Sequence, residues 1–151
     1  SSDLTARTPS TFAGGKGPVR RLFPDYEAVE HDYFQRTKIF PIMHTLVLRR
    51  DVYERDHWLA QSLTKAFTAA KQTAEQDLSE TTALKTMLPW LPRHLADTRL
   101  LMGEDFWPYG LQANRPVLET FLQYHHEQGL SRRLLKPEEL FAPESVESFR
   151  I

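Results

Sequence analysis

The run from Ile42 to Leu48 is short and wholly apolar apart from His44 and Thr45. It carries β-branched residues at Ile42, Thr45 and Val47, and Pro41 stands immediately before it. A run of that length and composition predicts a strand buried on both faces, as in a parallel or mixed α/β sheet. It is the best strand candidate in the chain, and such a strand needs neighbours. Residues 2–6 and 19–23 are predicted as two further short strands, while everything after Leu48 reads as helix or loop. A sheet of two or three short strands is marginal by itself. The expected fold class is therefore α/β and helix-rich, with few short strands. The remaining strands are expected from an upstream half or from a second copy of the chain.

Helical periodicity dominates the rest. Pro24 and Asp25 suit the start of a helix in which Tyr26, Val29 and Tyr33 share a face. The longest helix is predicted to begin after an N-cap at Asp56, with Leu59, Leu63, Ala66, Phe67, Ala70, Ala74 and Leu78 as its apolar stripe and Lys65, Lys71, Glu75 and Asp77 towards solvent. A second helix is expected from about Ser79 to just before Pro89, and a third from Pro92 to a cap at Gly103. A fourth is expected to be capped by Asn114, with Val117, Leu118, Phe121 and Leu122 inward, and to end at Gly129. Residues 137–141 close the series with a single turn. Residues 5–18 read as loop, with Gly14-Gly15-Lys16-Gly17-Pro18 at their end.

Composition narrows the functional classes. With no cysteine among 151 residues, a disulfide scaffold, a thiol nucleophile and thiolate metal ligation are all excluded. A formal net charge of −1 lacks the basic excess of a nucleic-acid platform. No stretch approaches the roughly 20 apolar residues of a membrane span, and Ser1-Ser2-Asp3-Leu4 is not the start of a signal peptide. What remains is a soluble domain that handles small molecules or protein partners.

Three places combine residues suited to chemistry. His44 interrupts the apolar run. A histidine there is either a structural residue bonded to backbone or water, or a sheet-end group that reaches a ligand. Arg7-Thr8-Pro9-Ser10 sets a guanidinium beside two hydroxyls, three groups able to hold a carboxylate, although any surface loop can carry such a tetrapeptide. Phe106-Trp107-Pro108-Tyr109-Gly110 is an aromatic loop between helices, which either packs on the core or lines a pocket. The other histidines, His31, His57, His94 and the adjacent His125 and His126, form no metal-binding pattern; adjacent positions on a helix point about 100° apart.

Taken in order, Arg7-Thr8-Pro9-Ser10, Ile39-Phe40-Pro41-Ile42-Met43-His44, Arg49-Arg50-Asp51-Val52-Tyr53-Glu54 and Phe106-Trp107-Pro108-Tyr109-Gly110 form a recognisable set. So do Glu127-Gln128-Gly129-Leu130 and the tail from Pro137 to Glu144. Together they resemble the C-terminal half of 4,5-dihydroxyphthalate decarboxylase-like proteins, over nearly the whole chain. The resemblance implies a two-lobed architecture like that of type II periplasmic-binding proteins. Residues 1–23 would then end the second lobe and cross over, and residues 24–151 would form the C-terminal, helix-rich part, with the upstream half absent. It implies decarboxylation of a hydroxylated aromatic dicarboxylic acid, with the cytoplasm as the expected location. The alternative is a periplasmic solute-binding protein of an ABC transporter, which would capture a small anionic or aromatic ligand without chemistry. On this reading His44 is the catalytic acid, Arg7, Thr8 and Ser10 grip a substrate carboxylate, and Trp107 and Tyr109 line the binding site. No metal ligand can be named and no cofactor is evident, although a divalent metal would suit ionisation of the phenol. The expected partners are a small aromatic acid and either a second copy of the chain or the upstream half.

Overall fold

The computed structural model describes residues 8, 10–15 and 19–146, which divide into two compact units, Ser1–Lys38 and Ile39–Ile151. The first unit holds a 3-10 helix, Ser10–Gly15, and helix α1, Tyr26–Thr37. Asp25 caps α1, its side chain accepting from the Ala28 N–H at 3.4 Å. Lys38 ends α1 in the left-handed region with φ 58°, its N–H donating to the Phe34 carbonyl at 2.8 Å. The Arg21 guanidinium lies over the rings of Phe12 and Tyr26, 5.5 and 4.4 Å from their centroids. No residue of α1 is buried; Tyr26, Val29 and Tyr33, the expected inward face, are all exposed.

The second unit is built from α2 (Arg50–Arg55), α3 (Trp58–Ser79), α4 (Leu91–Met102), α5 (Arg115–Glu127), a 3-10 helix (Pro137–Glu139) and α6 (Pro143–Val146). α3 packs against α4 and α6, and α5 against the second 3-10 helix. The buried apolar side chains are few: Ala60 on α3, Leu95 on α4, Leu111, and Leu118 and Leu122 on α5, joined by Pro137. α4 and α5 form close to their expected bounds, but Phe121, expected on the inward face of α5, is 57% exposed. Pro92 and Pro116 stand in their first turns, where the missing N–H costs nothing. Gly103 stops α4 at φ 95°, its N–H donating to the Arg99 carbonyl at 2.9 Å.

The expected α/β class is not what forms. Among the described residues there is no strand: 42–48 and 19–23 are irregular, and 2–6 lie outside the described residues. The reason is hydrogen-bonding arithmetic. A strand exists only as part of a ladder, and the described residues supply no second segment to pair with 42–48. Its apolar side chains stay open, with Val47 82% and Met43 65% exposed. His44 is likewise exposed rather than enclosed in a core.

Several local expectations also shift. Asp56 is the C-cap of α2, and its carboxylate takes the Arg55 Nε at 2.7 Å rather than the amides of α3. Residues 80–89 make no helix; Glu80 instead accepts from the Thr82 N–H at 2.6 Å, a local side-chain bond that competes with helical continuation. Of the expected stripe of α3, Leu59, Leu63 and Leu78 are half-buried, but Ala66, Phe67, Ala70 and Ala74 are exposed. A line through Ala60, Thr64, Thr68, Lys71, Glu75 and Leu78, at steps of three and four, faces inward as well. The two threonines satisfy themselves, each hydroxyl donating at 2.8 Å to the carbonyl four residues back.

Candidate functional site

The aromatic loop after α4 is the most constrained irregular segment of the second unit. Its side chains alternate: Phe106 and Pro108 are half-buried, whereas Trp107 and Tyr109 are each 44% exposed. Pro108 fixes one backbone dihedral between the two outward rings, and Gly110 turns the chain at φ 93°. Leu111, only 4% exposed, then anchors the loop in the core.

Side chains from two helices take the loop's backbone carbonyls. Asn114, at the start of α5, does not cap that helix; its Nδ2 donates to the Pro108 and Gly110 carbonyls at 2.8 and 2.9 Å. From α3, the Lys71 ammonium donates to the Trp107 carbonyl at 3.0 Å and to Asp105 Oδ1 at 2.6 Å. It also stands 5.3 Å from the centroid of the Tyr109 ring. Lys71 was expected to face solvent, but its side chain is 13% exposed. The signal for it was present as Lys71 and Glu75 four residues apart on α3, together with Asp105 just ahead of the aromatic residues. Nothing in the sequence says that α3 turns this pair inward.

Two of the ordered segments that carry the resemblance meet at this loop. The Phe40 ring packs on Trp107 with centroids 5.6 Å apart and planes at 60°, so the segment 39–44 that contains His44 is tied to the loop. Thr8 and Ser10 belong to the first unit and are exposed, Ser10 opening its 3-10 helix; Arg7 lies outside the described residues.

A second polar cluster joins two further segments. The Tyr53 hydroxyl donates to Glu144 Oε2 at 2.8 Å, and His57 Nδ1 lies 3.5 Å from Glu144 Oε1. The Tyr53 and His57 rings meet edge to face with centroids 4.5 Å apart. Glu144 is held below the usual carboxylate range, first by its own backbone N–H and then by the Tyr53 hydroxyl; the Tyr53 phenol is raised in turn, chiefly by its bond to Glu144. This cluster secures α6 to α2 and the start of α3. Among the described residues no group of three or more His, Asp or Glu side chains could hold a metal ion. None of the described helices is long and apolar enough to cross a membrane.

No protein-family model matches the chain. It is 45% identical over 145 residues to 4,5-dihydroxyphthalate decarboxylase from Comamonas testosteroni. The aligned region covers 96% of this chain and 44% of that protein, of which it is a C-terminal part. The chain therefore spans less than half the length of this curated relative, and the resemblance read from the ordered segments is borne out. The transporter alternative finds no support in these comparisons.

Proposed function

We propose that the chain supplies the C-terminal part of an enzyme that decarboxylates a hydroxylated aromatic dicarboxylic acid of the 4,5-dihydroxyphthalate type. The observation that carries this reading is the 45% identity, sustained over 96% of the chain, to a protein named for that reaction. The geometry is compatible with it. Two aromatic rings stand half-open on a clamped loop, next to the segment that carries an exposed histidine.

In the proposed reaction a phenolate oxygen pushes electrons into the ring while His44 donates a proton to the ring carbon that bears the departing carboxylate. The bond between that carbon and the carboxylate then breaks, its electron pair restores aromaticity, and CO₂ leaves. 4,5-Dihydroxyphthalate becomes 3,4-dihydroxybenzoate, with one proton taken up and one CO₂ released. Imidazole suits the acid role because its reference pKa of about 6.5 keeps both protonation states accessible near neutral pH. The rings of Trp107 and Tyr109 supply flat apolar surface for an aromatic substrate. Arg7, Thr8 and Ser10 are assigned to the second carboxylate, which stays on the ring.

Chromatography of reaction mixtures tests this directly. The full-length enzyme of which this chain is proposed to be the C-terminal part should convert 4,5-dihydroxyphthalate to 3,4-dihydroxybenzoate and leave phthalate untouched, since phthalate has no phenolate to push electrons. Equal turnover of both acids, or of neither, would overturn the proposal.

A further inference from the structure

We infer that Lys71 is a positioning residue of the aromatic-acid site: its ammonium holds the 105–109 loop in the shape that presents the Trp107 and Tyr109 rings to substrate. The inference deepens the decarboxylase reading and rests on it.

The ammonium has three N–H donors and no acceptor. Asp105 Oδ1 at 2.6 Å and the Trp107 carbonyl at 3.0 Å take two of them. Glu75 Oε1 lies 3.6 Å away on the third side, an ion pair between neighbouring turns of α3. The Tyr109 ring faces the same charge at 5.3 Å, within cation–π range. One nitrogen thus touches residues 105, 107 and 109 of the loop, every second position, and these include both outward-facing aromatics. Two of the N–H groups hold the loop and the remaining charge faces Glu75, so the role is to place the rings rather than to bind or react.

Burial makes this contact consequential. The Lys71 side chain is 13% exposed and that of Glu75 is 25% exposed. Glu75 Oε1 is itself enclosed without a hydrogen-bond donor, so the Lys71 charge is what compensates it. Charge-assisted bonds strengthen in such partly desolvated surroundings. Asn114 clamps the same loop from α5, but through the Pro108 and Gly110 carbonyls. It therefore fixes the turn, while the Trp107 backbone is held by Lys71 and its ring also meets Phe40. An aromatic pair held by its backbone, with both rings half in solvent, is suited to stacking on a flat ligand; a loop serving only the core would turn those rings inward.

The test uses Lys71→Arg, Lys71→Met, and Lys71→Met combined with Glu75→Gln. The last avoids leaving a buried carboxylate without its counter-charge, a defect that can itself unfold a protein. Acrylamide quenching of Trp107 is read with the other two tryptophans changed to Phe at the exposed positions Trp58 and Trp90. Binding of 4,5-dihydroxyphthalate is read by calorimetry. Losing Lys71 should make Trp107 more accessible and weaken binding by about ten- to a hundred-fold, in the double variant as well. Lys71→Arg should restore much of both, because a guanidinium keeps the charge and the donors. Unchanged quenching in both Met variants would overturn the inference whatever the ligand does. Raised accessibility with wild-type affinity would overturn it too, since the loop would then be structural only. A wild-type protein with the Lys71-dependent quenching but no affinity for the acid would instead overturn the decarboxylase reading, and with it the assignment of this loop to a substrate site.

Discussion

Residues 42–48 and residues 105–111 both read as apolar or aromatic clusters that water should disfavour, yet they end differently. The loop 105–111 is held by its neighbours: Lys71 and Asn114 take its carbonyls, Phe40 packs on Trp107 and Leu111 is buried. The run 42–48 has no ladder partner among the described residues and leaves Met43, Leu46 and Val47 open. The difference is one of what each backbone requires. A loop can be satisfied by a few donors from adjacent helices, whereas a strand needs a continuous row of amides and carbonyls from another segment. An apolar run therefore signals burial only where the rest of the fold can answer it.

The largest effect is expected where the open run is proposed to do chemistry. His44→Gln keeps size and hydrogen-bonding capacity but cannot donate a proton near pH 7. Turnover should fall by roughly 10²–10⁴ while affinity for the aromatic acid and Tm hardly change. Retained turnover would reject His44 as the acid. A lowered Tm with activity per folded molecule kept would make it a structural residue.

Next comes a direct contrast between covered and open apolar residues. Leu122, 3% exposed on α5, should lose about 2–5 kcal/mol of stability on truncation to alanine, through lost burial and the cavity left behind. Val47→Ser, at a position 82% exposed, should stay within about 0.5 kcal/mol. Comparable losses in urea unfolding would mean that 42–48 is covered in solution, and the contrast would fail.

Asn114→Ala removes the donor to the Pro108 and Gly110 carbonyls, each bond worth about 0.5–1.5 kcal/mol net. A destabilisation of about 1–3 kcal/mol is expected, together with faster amide exchange in the loop. No loss at all would show that the loop is held without its α5 clamp.

The smallest effect is electrostatic. Glu139 is lowered from 4.5 to about 2, chiefly by the Arg133 guanidinium at 2.9 and 2.5 Å and next by the Lys136 backbone N–H at 2.8 Å. A carboxylate depressed on folding contributes its full stability above the unfolded value, and that contribution is lost as pH falls through the folded value; the window here runs from about 4.5 down to about 2. Carboxyl NMR of Arg133→Gln should show the Glu139 midpoint rising only partway to 4.5, because the Lys136 amide remains. A midpoint that does not move would assign the depression to the amide alone.

Helices whose signals are local were legible in the sequence. α4 and α5 follow from prolines in their first turns and from the glycines Gly103 and Gly129 beyond their ends, both at positive φ. The ordered segments that carry the family resemblance were legible too, and they proved more specific than any single residue. Two things were not. The existence of a strand depends on a partner segment, which no periodicity within 42–48 can report. The inward face of α3 depends on which competing stripe finds a neighbour. The apolar line through Phe67, Ala70 and Ala74 looked decisive, yet the line through Thr64, Thr68, Lys71 and Glu75 faces inward, because the threonine hydroxyls bond back to the helix and Asp105 neutralises Lys71. Of the site residues, Trp107 and Tyr109 were visible as an aromatic loop, but the lysine that holds them read as a surface charge.

The most direct test of the proposed activity follows the carboxyl carbon itself. With 4,5-dihydroxyphthalate labelled by ¹³C in both carboxyl groups, NMR of the full-length enzyme and substrate in buffer should show one labelled carbon per molecule appearing as CO₂ and bicarbonate. The other should remain on 3,4-dihydroxybenzoate, in equal amounts. Label that stays entirely on the intact diacid, although the acid binds, would contradict decarboxylation and leave the aromatic loop as a binding surface without chemistry.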